Sequence, residues 1–207
     1  MGNWYPFLNF QITSITQQRM NNKLLLFCGP SGSGKTTIVH HLLKKYPQLS
    51  FSVSATTRNK RTNESDGQDY YFMSVDEFKR RKENDEFIEW EEVYQNGYYG
   101  TLKSELQRIW RKDKVAIFDV DVEGGINIKK QYNDRLLAVF VMPPSMDELH
   151  HRLKARATET PDTFRARTEK SEHEMTYADK FDHVIINDKL EDALAAAEKL
   201  VDDFLSK

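Results

Sequence analysis

Residues 27–42, FCGPSGSGKTTIVHHL, decide the fold that this sequence predicts. Their central part, residues 29–36, matches the pattern G-x-x-x-x-G-K-[ST] and stands between an apolar run and a segment with helical spacing. Glycines let the backbone curl so that its N–H groups point inward, and the start of a helix adds partial positive charge. The stretch therefore predicts a loop that binds the phosphates of a nucleoside triphosphate. The alternative is a glycine-rich turn before a helix, without a ligand.

The end of this loop carries side chains suited to a triphosphate. Lys35 can reach the β- and γ-phosphates, and Thr36 can offer its hydroxyl to Mg²⁺. The candidate nucleotide contacts are Gly29, Pro30, Ser31, Gly32, Ser33, Gly34, Lys35, Thr36 and Thr37. The loop alone does not say what is done with the γ-phosphoryl group.

The composition predicts one soluble globular unit with room for an inserted subdomain. The chain has 207 residues, 39% of them hydrophobic and 30% charged, and its net charge is −2. Such a charge gives no strong field toward nucleic acid or membranes, and neither is expected as a partner. No apolar run approaches the ~18 residues of a membrane-spanning helix. The single cysteine, Cys28, excludes an internal disulfide, so we expect a buried thiol and a cytoplasmic protein.

Apolar runs that alternate with helical patterns predict an α/β fold with a mostly parallel sheet covered on both faces. The predicted strands are 23–29, 51–55, 70–73, 86–94, 114–121, 136–144 and 183–188. The predicted helices are 35–46, 74–84, 101–112, 145–156, a charged helix that starts near residue 163, and 191–205. Two of these helices begin with the capping-box pattern S-x-x-E, and NGYYG at 96–100 predicts a turn. Short strands and turns cluster in 55–102, which predicts an inserted subdomain.

The first residues predict an extension outside the compact fold. Residues 1–19 lack the basic start and continuous apolar core of a signal peptide, and Met20 directly precedes the first predicted strand. We therefore expect residues 1–19 to be a flexible extension or the product of an early start site.

Five further segments follow the glycine loop in a fixed order. They are SVSATTRNKR (52–61), GQDYYF (67–72), EFIEW (86–90), NGYYGT (96–101) and FDVDVEGG (118–125). Together they closely resemble guanylate kinase, over the whole chain from Met20 onward. The resemblance implies Mg²⁺-dependent transfer of the γ-phosphoryl group of ATP to GMP or dGMP. It also implies a P-loop core of residues 20–54, 103–150 and 170–207, a mixed α+β GMP-binding insert of 55–102, and a short helical lid of 151–169.

The resemblance assigns the second site to GMP. Arg58 and Arg61 are suited to clamp a doubly charged monophosphate, and Tyr70 and Tyr99 can add hydroxyl donors. Glu89 stands inside the apolar strand FIEW, where a carboxylate is costly to bury without partners. Guanine offers two donors on one edge, which a carboxylate can accept together, and adenine offers neither. The further candidate contacts to the base are Ser54 and Thr101.

Two aspartates, Asp119 and Asp121, lie two residues apart near the carboxyl end of the predicted strand 114–121, and this spacing places them on one face. The resemblance places both between the two nucleotides, near Mg²⁺ and guanine, and leaves their division of tasks open. Asp121 and Thr36 are the candidate metal contacts. A structural role at the end of the strand is the alternative for both aspartates.

The resemblance also assigns residues around the triphosphate. Arginines flank the predicted lid, where they would surround the moving phosphoryl group; an ordinary basic helix surface is the alternative. The arginines considered are Arg152, Arg156, Arg165 and Arg167, of which Arg165 matches no family position. The candidate catalytic residues are Lys35, Arg58, Arg152, Arg156 and Arg167. Asn187 and Asp188 are the candidate adenine contacts.

The chain departs from the family pattern at two places. Glu123 stands where the family often has glutamine, and the Gly-Gly pair at 124–125 is unusual. Two other functions stay open: a kinase for another phosphorylated acceptor, and a non-catalytic binding module, which typically loses the phosphate loop. The sequence also leaves open whether the chain is a monomer or a dimer.

Overall fold

The apolar run before the glycine loop forms the central strand of a parallel sheet. A computed structural model describes residues 23–155 and 161–207 of the chain. The strands are β1 (Leu24–Cys28), β2 (Leu49–Phe51), β3 (Ala55–Thr56), β4 (Tyr71–Phe72), β5 (Phe87–Tyr94), β6 (Gly97–Leu102), β7 (Val115–Asp119), β8 (Leu136–Met142) and β9 (His183–Ile186). The α-helices are α1 (Lys35–Lys45), α2 (Val75–Glu83), α3 (Lys103–Trp110), α4 (Val122–Tyr132), α5 (Met146–Ala155), α6 (Pro161–Met175) and α7 (Leu190–Leu205).

Within the described residues, five strands form a sheet in the order β2-β7-β1-β8-β9, with every neighbouring pair parallel. Side chains of β1 alternate between two apolar clusters on opposite faces of this sheet. Leu25 and Phe27 pack on the side of α1 and α7, whereas Leu24, Leu26 and Cys28 pack on the side of α3 and α4. The predicted three-layer α/β fold is thereby confirmed.

A second, mixed sheet has the strand order β4-β3-β6-β5. Its β3–β4 pair is parallel, and its β3–β6 and β5–β6 pairs are antiparallel. Helix α2 covers this sheet with Phe78, whose ring stacks on Phe87 at 4.3 Å and on Tyr98 at 5.1 Å between centroids. These elements lie in the segment 55–102, and they have a small apolar core of their own.

Two element predictions are wrong, one where the chain passes between the sheets and one at the hairpin of β5 and β6. The predicted strand 51–55 is two strands in different sheets, because β2 ends at Phe51 and β3 begins at Ala55. Between them the Val53 N–H donates to the buried Glu105 carboxylate at 2.9 Å. The predicted turn 96–100 is mostly strand β6, since only its first residue, Asn96, has the positive φ of a turn.

Helix α4 is absent from the sequence prediction. Its first turn contains Gly124 and Gly125, and a glycine inside a helix costs up to ~1 kcal/mol relative to alanine, which hides the helical pattern. Asp121 caps this helix and accepts the Gly124 N–H at 2.8 Å. Gly125 faces the core, where a Cβ would lie 3.2 Å from the Cβ of Cys28.

Half of each predicted capping box is present. Ser74 and Ser145 accept the N–H of the residue three positions on, each at 3.1 Å. The glutamates pair with arginines on their own helices, Glu77 with Arg80 and Arg81, and Glu148 with Arg152.

Among the described residues, no helix has the length and apolarity needed to cross a membrane. The predicted extension 1–19, Met20 and Arg156 lie outside the described residues.

Candidate functional site

The glycine loop joins β1 to α1 at the carboxyl end of the parallel sheet. Gly34 precedes the helix with φ 94°, and a Cβ there would lie 2.1 Å from the amide nitrogen of Asn187. Only glycine tolerates both this backbone conformation and this close approach. The first turn of α1 has no acidic residue, and its N-cap residue, Gly34, has no side chain that could form a capping hydrogen bond. The helix start therefore keeps the N–H groups and partial positive charge that a phosphate requires.

Lys35 and Thr36 meet an aspartate from the neighbouring strand. The Thr36 hydroxyl donates to Asp119 Oδ2 at 2.5 Å, and Lys35 Nζ lies 3.9 Å from Asp119 Oδ1. The parallel register pairs Phe27 with Asp119, which brings the ends of β1 and β7 together. A hydroxyl and a carboxylate are hard oxygen ligands of the kind that Mg²⁺ accepts in small number beside phosphates. These two side chains fit a nucleotide-bound magnesium ion.

Asp121, the other predicted metal contact, has different partners in the structure. Its Oδ1 accepts the Gly124 N–H at the start of α4, and its Oδ2 lies 3.6 Å from Lys170 Nζ. The structure therefore puts Asp119, rather than Asp121, beside Thr36. Asp121 belongs to the strand-to-helix connection and not to the strand itself, since β7 ends at Asp119.

Asn187, a predicted adenine contact, is hydrogen-bonded to the glycine loop. The residue is 6% exposed, and its amide nitrogen donates to the Ser33 carbonyl at 2.8 Å. Its own carbonyl accepts from the Arg152 guanidinium at 3.0 Å, and Arg152 also donates to Glu148 at 2.7 Å. Asp188 is exposed. Arg156 lies outside the described residues, and so do the side chains of Arg165 and Arg167 on α6.

One cleft of about 760 Å³ brings the two predicted sites together. Its walls come from the glycine loop, the end of β7, the mixed sheet and α6. The predicted site residues that line it are Gly29, Ser31, Lys35, Thr36, Ser54, Tyr70, Glu89, Tyr99, Asp119 and Asp121. A triphosphate loop and a predicted base-binding carboxylate thus face a single space.

Glu89 is buried in β5, with 8% of its surface exposed. Thr101 lies opposite it on β6, and the Thr101 hydroxyl donates to Glu89 Oε1 at 2.7 Å. Burial raises the pKa of Glu89 to about 7, although the Thr101 hydrogen bond acts in the opposite direction. The carboxylate is therefore held in place but incompletely partnered, which suits it to accept donors from a ligand.

Arg58 is paired with a carboxylate that the sequence analysis did not identify. Its two terminal nitrogens donate to Glu64 at 2.6 and 2.5 Å, and its guanidinium lies 4.8 Å from the ring centre of Tyr70. The hydrogen bond from Arg58 lowers the pKa of Glu64 to about 2. Glu64 also accepts the backbone N–H of Arg61, whose side chain is exposed. Nothing in the periodicity of this polar loop marks Glu64 as a partner.

For GMP, the acceptor that the sequence resemblance implies, we expect Glu64→Ala to raise the KM by roughly fivefold with little change in kcat, because Arg58 loses the bidentate partner that orients it. Steady-state kinetics at varied GMP would measure this. Glu77→Ala is the matched control, since Glu77 also pairs with arginines of the segment 55–102, but those arginines, Arg80 and Arg81, are not predicted site residues. Equal KM values for the two variants would contradict the orienting role.

The sequence analysis also did not identify a cluster of charged residues on the wall of the cleft. Lys170 Nζ lies 3.5 Å from Glu91, 3.6 Å from Asp121 and 3.8 Å from Glu174. Burial raises the pKa of Glu174 to about 7, and a hydrogen bond shared with Asp121 is the largest cause that raises the pKa of Glu91 to about 8. Lys170 and Glu174 are four residues apart on a helix whose charge pattern indicates a solvated surface, so nothing in the sequence marks Glu174 as buried.

Comparisons with known proteins agree with this geometry. The family model for guanylate kinase matches residues 21–204. A guanylate kinase of Bacteroides thetaiotaomicron is 47% identical over 203 residues, which cover 98% of each chain. A guanylate kinase of Porphyromonas gingivalis is 47% identical over 186 residues, which cover 89% of this chain and 99% of the relative.

A solved structure is similar as well. The crystal structure of guanylate kinase from Anaplasma phagocytophilum has a TM-score of 0.70 and 26% sequence identity, and the match covers 90% of this chain and 87% of that one. With a family match along nearly the whole chain and relatives of this similarity, the chain belongs to the guanylate kinase family.

Proposed function

We propose that this protein is a guanylate kinase, which transfers the γ-phosphoryl group of ATP to GMP or dGMP and forms ADP and GDP or dGDP. The observation that carries the proposal is the cleft of about 760 Å³, whose lining includes Lys35 and Thr36 of the glycine loop together with the buried Glu89 of the mixed sheet. A donor and an acceptor nucleotide can lie end to end in such a space. Membership of the family supports the same reaction.

The phosphoryl transfer needs alignment and charge neutralisation rather than a dedicated base, because the attacking GMP oxygen is already anionic. Lys35 would neutralise the β- and γ-phosphates, and the backbone of the glycine loop would hold them. Thr36 and Asp119 would hold Mg²⁺, which when bound neutralises charge on the phosphate oxygens. Arg58 would hold the monophosphate, and the hydroxyl groups of Tyr70 and Tyr99 would donate to it.

Glu89 would read the base of the acceptor. Its carboxylate can accept both donors of the guanine edge, while the Thr101 hydroxyl holds the carboxylate in place through its 2.7 Å hydrogen bond to Oε1. Ser54 lines the same part of the cleft. Adenine would leave a buried carboxylate without donors, and such sites reject the wrong ligand by large factors, up to ~10⁴ or more.

The division of labour along the chain follows the family. We propose residues 20–54, 103–150 and 170–207 as the core, residues 55–102 as the GMP-binding insert, and residues 151–169 as the lid. Closure of the lid would bring Arg152, Arg156 and Arg167 toward the transferring group and exclude water, which would otherwise accept it. A cytoplasmic location is also proposed, which the single buried thiol of Cys28 fits.

A coupled assay of ADP release tests the proposal. The full-length protein is given Mg-ATP with GMP, dGMP, AMP, CMP or UMP in parallel. We expect turnover with GMP and dGMP only. Turnover with another acceptor would keep the triphosphate loop but overturn the role of Glu89. A folded protein that binds GMP but shows no turnover would instead be a binding module.

A further inference from the structure

The first turn of α4 lies against the carboxylate proposed to read guanine. Gly124 is the third residue of this helix, and a Cβ built on it would lie 2.9 Å from Glu89 Oε2 and 3.4 Å from Glu89 Cδ. Real Cβ atoms do not approach an oxygen this closely without a shift. The same Cβ would lie 3.1 Å from Asp121 Oδ1, which already accepts the Gly124 N–H. Residue 124 therefore faces two carboxylates of the cleft at once.

Glu89 is held between this helix and its own sheet. The Thr101 hydroxyl holds Oε1 at 2.7 Å, and the Gly124 backbone closes on Oε2 from the other side. Helix α4 is also tied to β5 one residue before Glu89, where Gln131 donates to the Ile88 carbonyl at 2.6 Å. With 8% of its surface exposed, Glu89 can make room for a larger neighbour only by leaving this position.

The neighbouring glycine has a different environment, although both sit in one helical turn. A Cβ on Gly125 would lie 3.2 Å from Cys28 Cβ and 3.3 Å from the ring of Phe181, both in the apolar core. Helix propensity alone would favour alanine at either position by up to ~1 kcal/mol. What separates the two positions is the group that each faces, a cleft carboxylate or the core.

We propose that Gly124 is a specificity-determining positioning residue, whose lack of a side chain lets the Glu89 carboxylate stay where it accepts both donors of guanine. This inference rests on the proposed function. A methyl group at residue 124 would meet the end of a side chain rather than backbone, so the carboxylate would turn aside while the helix stays. Hydrogen bonds to guanine need donor–acceptor distances near 2.7–3.2 Å, and a displaced carboxylate cannot keep two of them.

The test compares Gly124→Ala with Gly125→Ala in the full-length protein. We expect Gly124→Ala to raise the KM for GMP roughly tenfold, with the KM for ATP within about twofold of the parent protein. The preference for GMP over IMP, which lacks the 2-amino donor, should fall as well. Gly125→Ala should leave both quantities unchanged, because its methyl group faces the core.

A double-substitution cycle shows whether Gly124 acts through Glu89. In a Glu89→Gln background, Gly124→Ala should raise the KM for GMP much less than it does alone, since the carboxylate that it displaces is gone. Additive effects would overturn the inference. A folded Gly124→Ala protein with the parent's GMP kinetics would overturn it too, as would equal increases in the KM for ATP and GMP.

Two further readouts keep the test decisive. If Gly124→Ala lowers the Tm strongly, Glu89→Asp in the same protein should restore it, because aspartate is shorter and vacates the contact; no recovery would overturn the inference. The parent protein separates this inference from the proposed function. If the parent neither binds nor phosphorylates GMP, the proposed function fails, whereas normal GMP turnover by both parent and Gly124→Ala defeats the inference alone.

Discussion

Replacement of Lys35 by alanine should lower kcat with ATP and GMP by about 10²–10³-fold while the protein keeps its fold. Lys35 begins α1, and its side chain is 18% exposed. Within residues 23–155 and 161–207, it forms a loose ion pair with Asp119 at 3.9 Å. Asp119 keeps the Thr36 hydroxyl as a partner when Lys35 is lost. The developing charge on the transferring phosphoryl group has no such substitute.

Rates and melting temperatures measured on the same preparation would separate chemistry from stability. Lys44→Ala is the matched control, because Lys44 is an exposed lysine in the last turn of the same helix. We expect the control to retain the activity of the parent protein. Full turnover by Lys35→Ala, or a loss of activity that follows a large fall in Tm, would contradict a direct role at the phosphates.

The Glu89→Gln substitution should lower the preference for GMP over AMP by about 10²-fold or more. Glutamine keeps the shape of the side chain but turns one acceptor into a donor, which then faces a donor of guanine. The buried position limits the access of water that could replace the lost acceptor. The loss should therefore come from a lower kcat/KM with GMP, with a small change for AMP.

The pH dependence gives this substitution a second readout. Burial raises the pKa of Glu89 from its ordinary value of 4.5 to about 7, so the native state holds its proton more tightly than the unfolded chain does. The contribution of Glu89 to stability is thus present below pH 4.5 and is lost as the pH rises toward 7. Guanine requires the ionised carboxylate, so kcat/KM for GMP should rise with pH through about 7. Glu89→Gln should lack this rise.

Glu92→Gln is the control for both readouts, since Glu92 is an exposed glutamate on the same strand. Glu91 and Glu174 also titrate near neutral pH beside the cleft, so the profile of one protein alone would mix several groups. The difference between the Glu89→Gln and parent profiles isolates Glu89. Identical profiles, or an unchanged preference for GMP over AMP, would defeat the base-reading role.

The sequence predicts the core of this fold well because its signals are local. Three patterns are adjacent around Lys35: a continuous apolar run, a glycine loop and a helical pattern. Each of them predicts one type of local structure, namely a buried strand, a phosphate-binding turn and a helix. Helix α4 was missed because Gly124 and Gly125 are there for close packing, against the local preference of a helix. The stretch 51–55 was misread because a change of sheet leaves no mark in the apolar pattern.

The candidate site shows the same limit. Asp119 and Asp121 have equivalent positions in the pattern, and only the register of β1 with β7 shows which of them meets Thr36. Glu64 pairs with Arg58 six residues away, inside a polar loop without periodicity, whereas Lys170 meets Glu91, which lies 79 residues away in the chain. Asn187 was assigned to adenine by analogy, and its hydrogen bond to the Ser33 carbonyl could not be predicted. Apart from the Arg58–Glu64 pair, these contacts join distant parts of the chain, and no single stretch of sequence contains them.

The position of Cys28 makes its thiol a probe for the opening of the central strand. It is the chain's sole cysteine, it is fully buried in the central strand, and burial raises the pKa of its thiol well above the ordinary range. A thiol reagent can label it only when the strand separates from its neighbours, so the labelling rate follows the population of opened molecules. Nucleotides that bind the adjacent glycine loop stabilise the closed molecule and slow the labelling. Binding can thus be titrated in an unmodified protein, without any turnover.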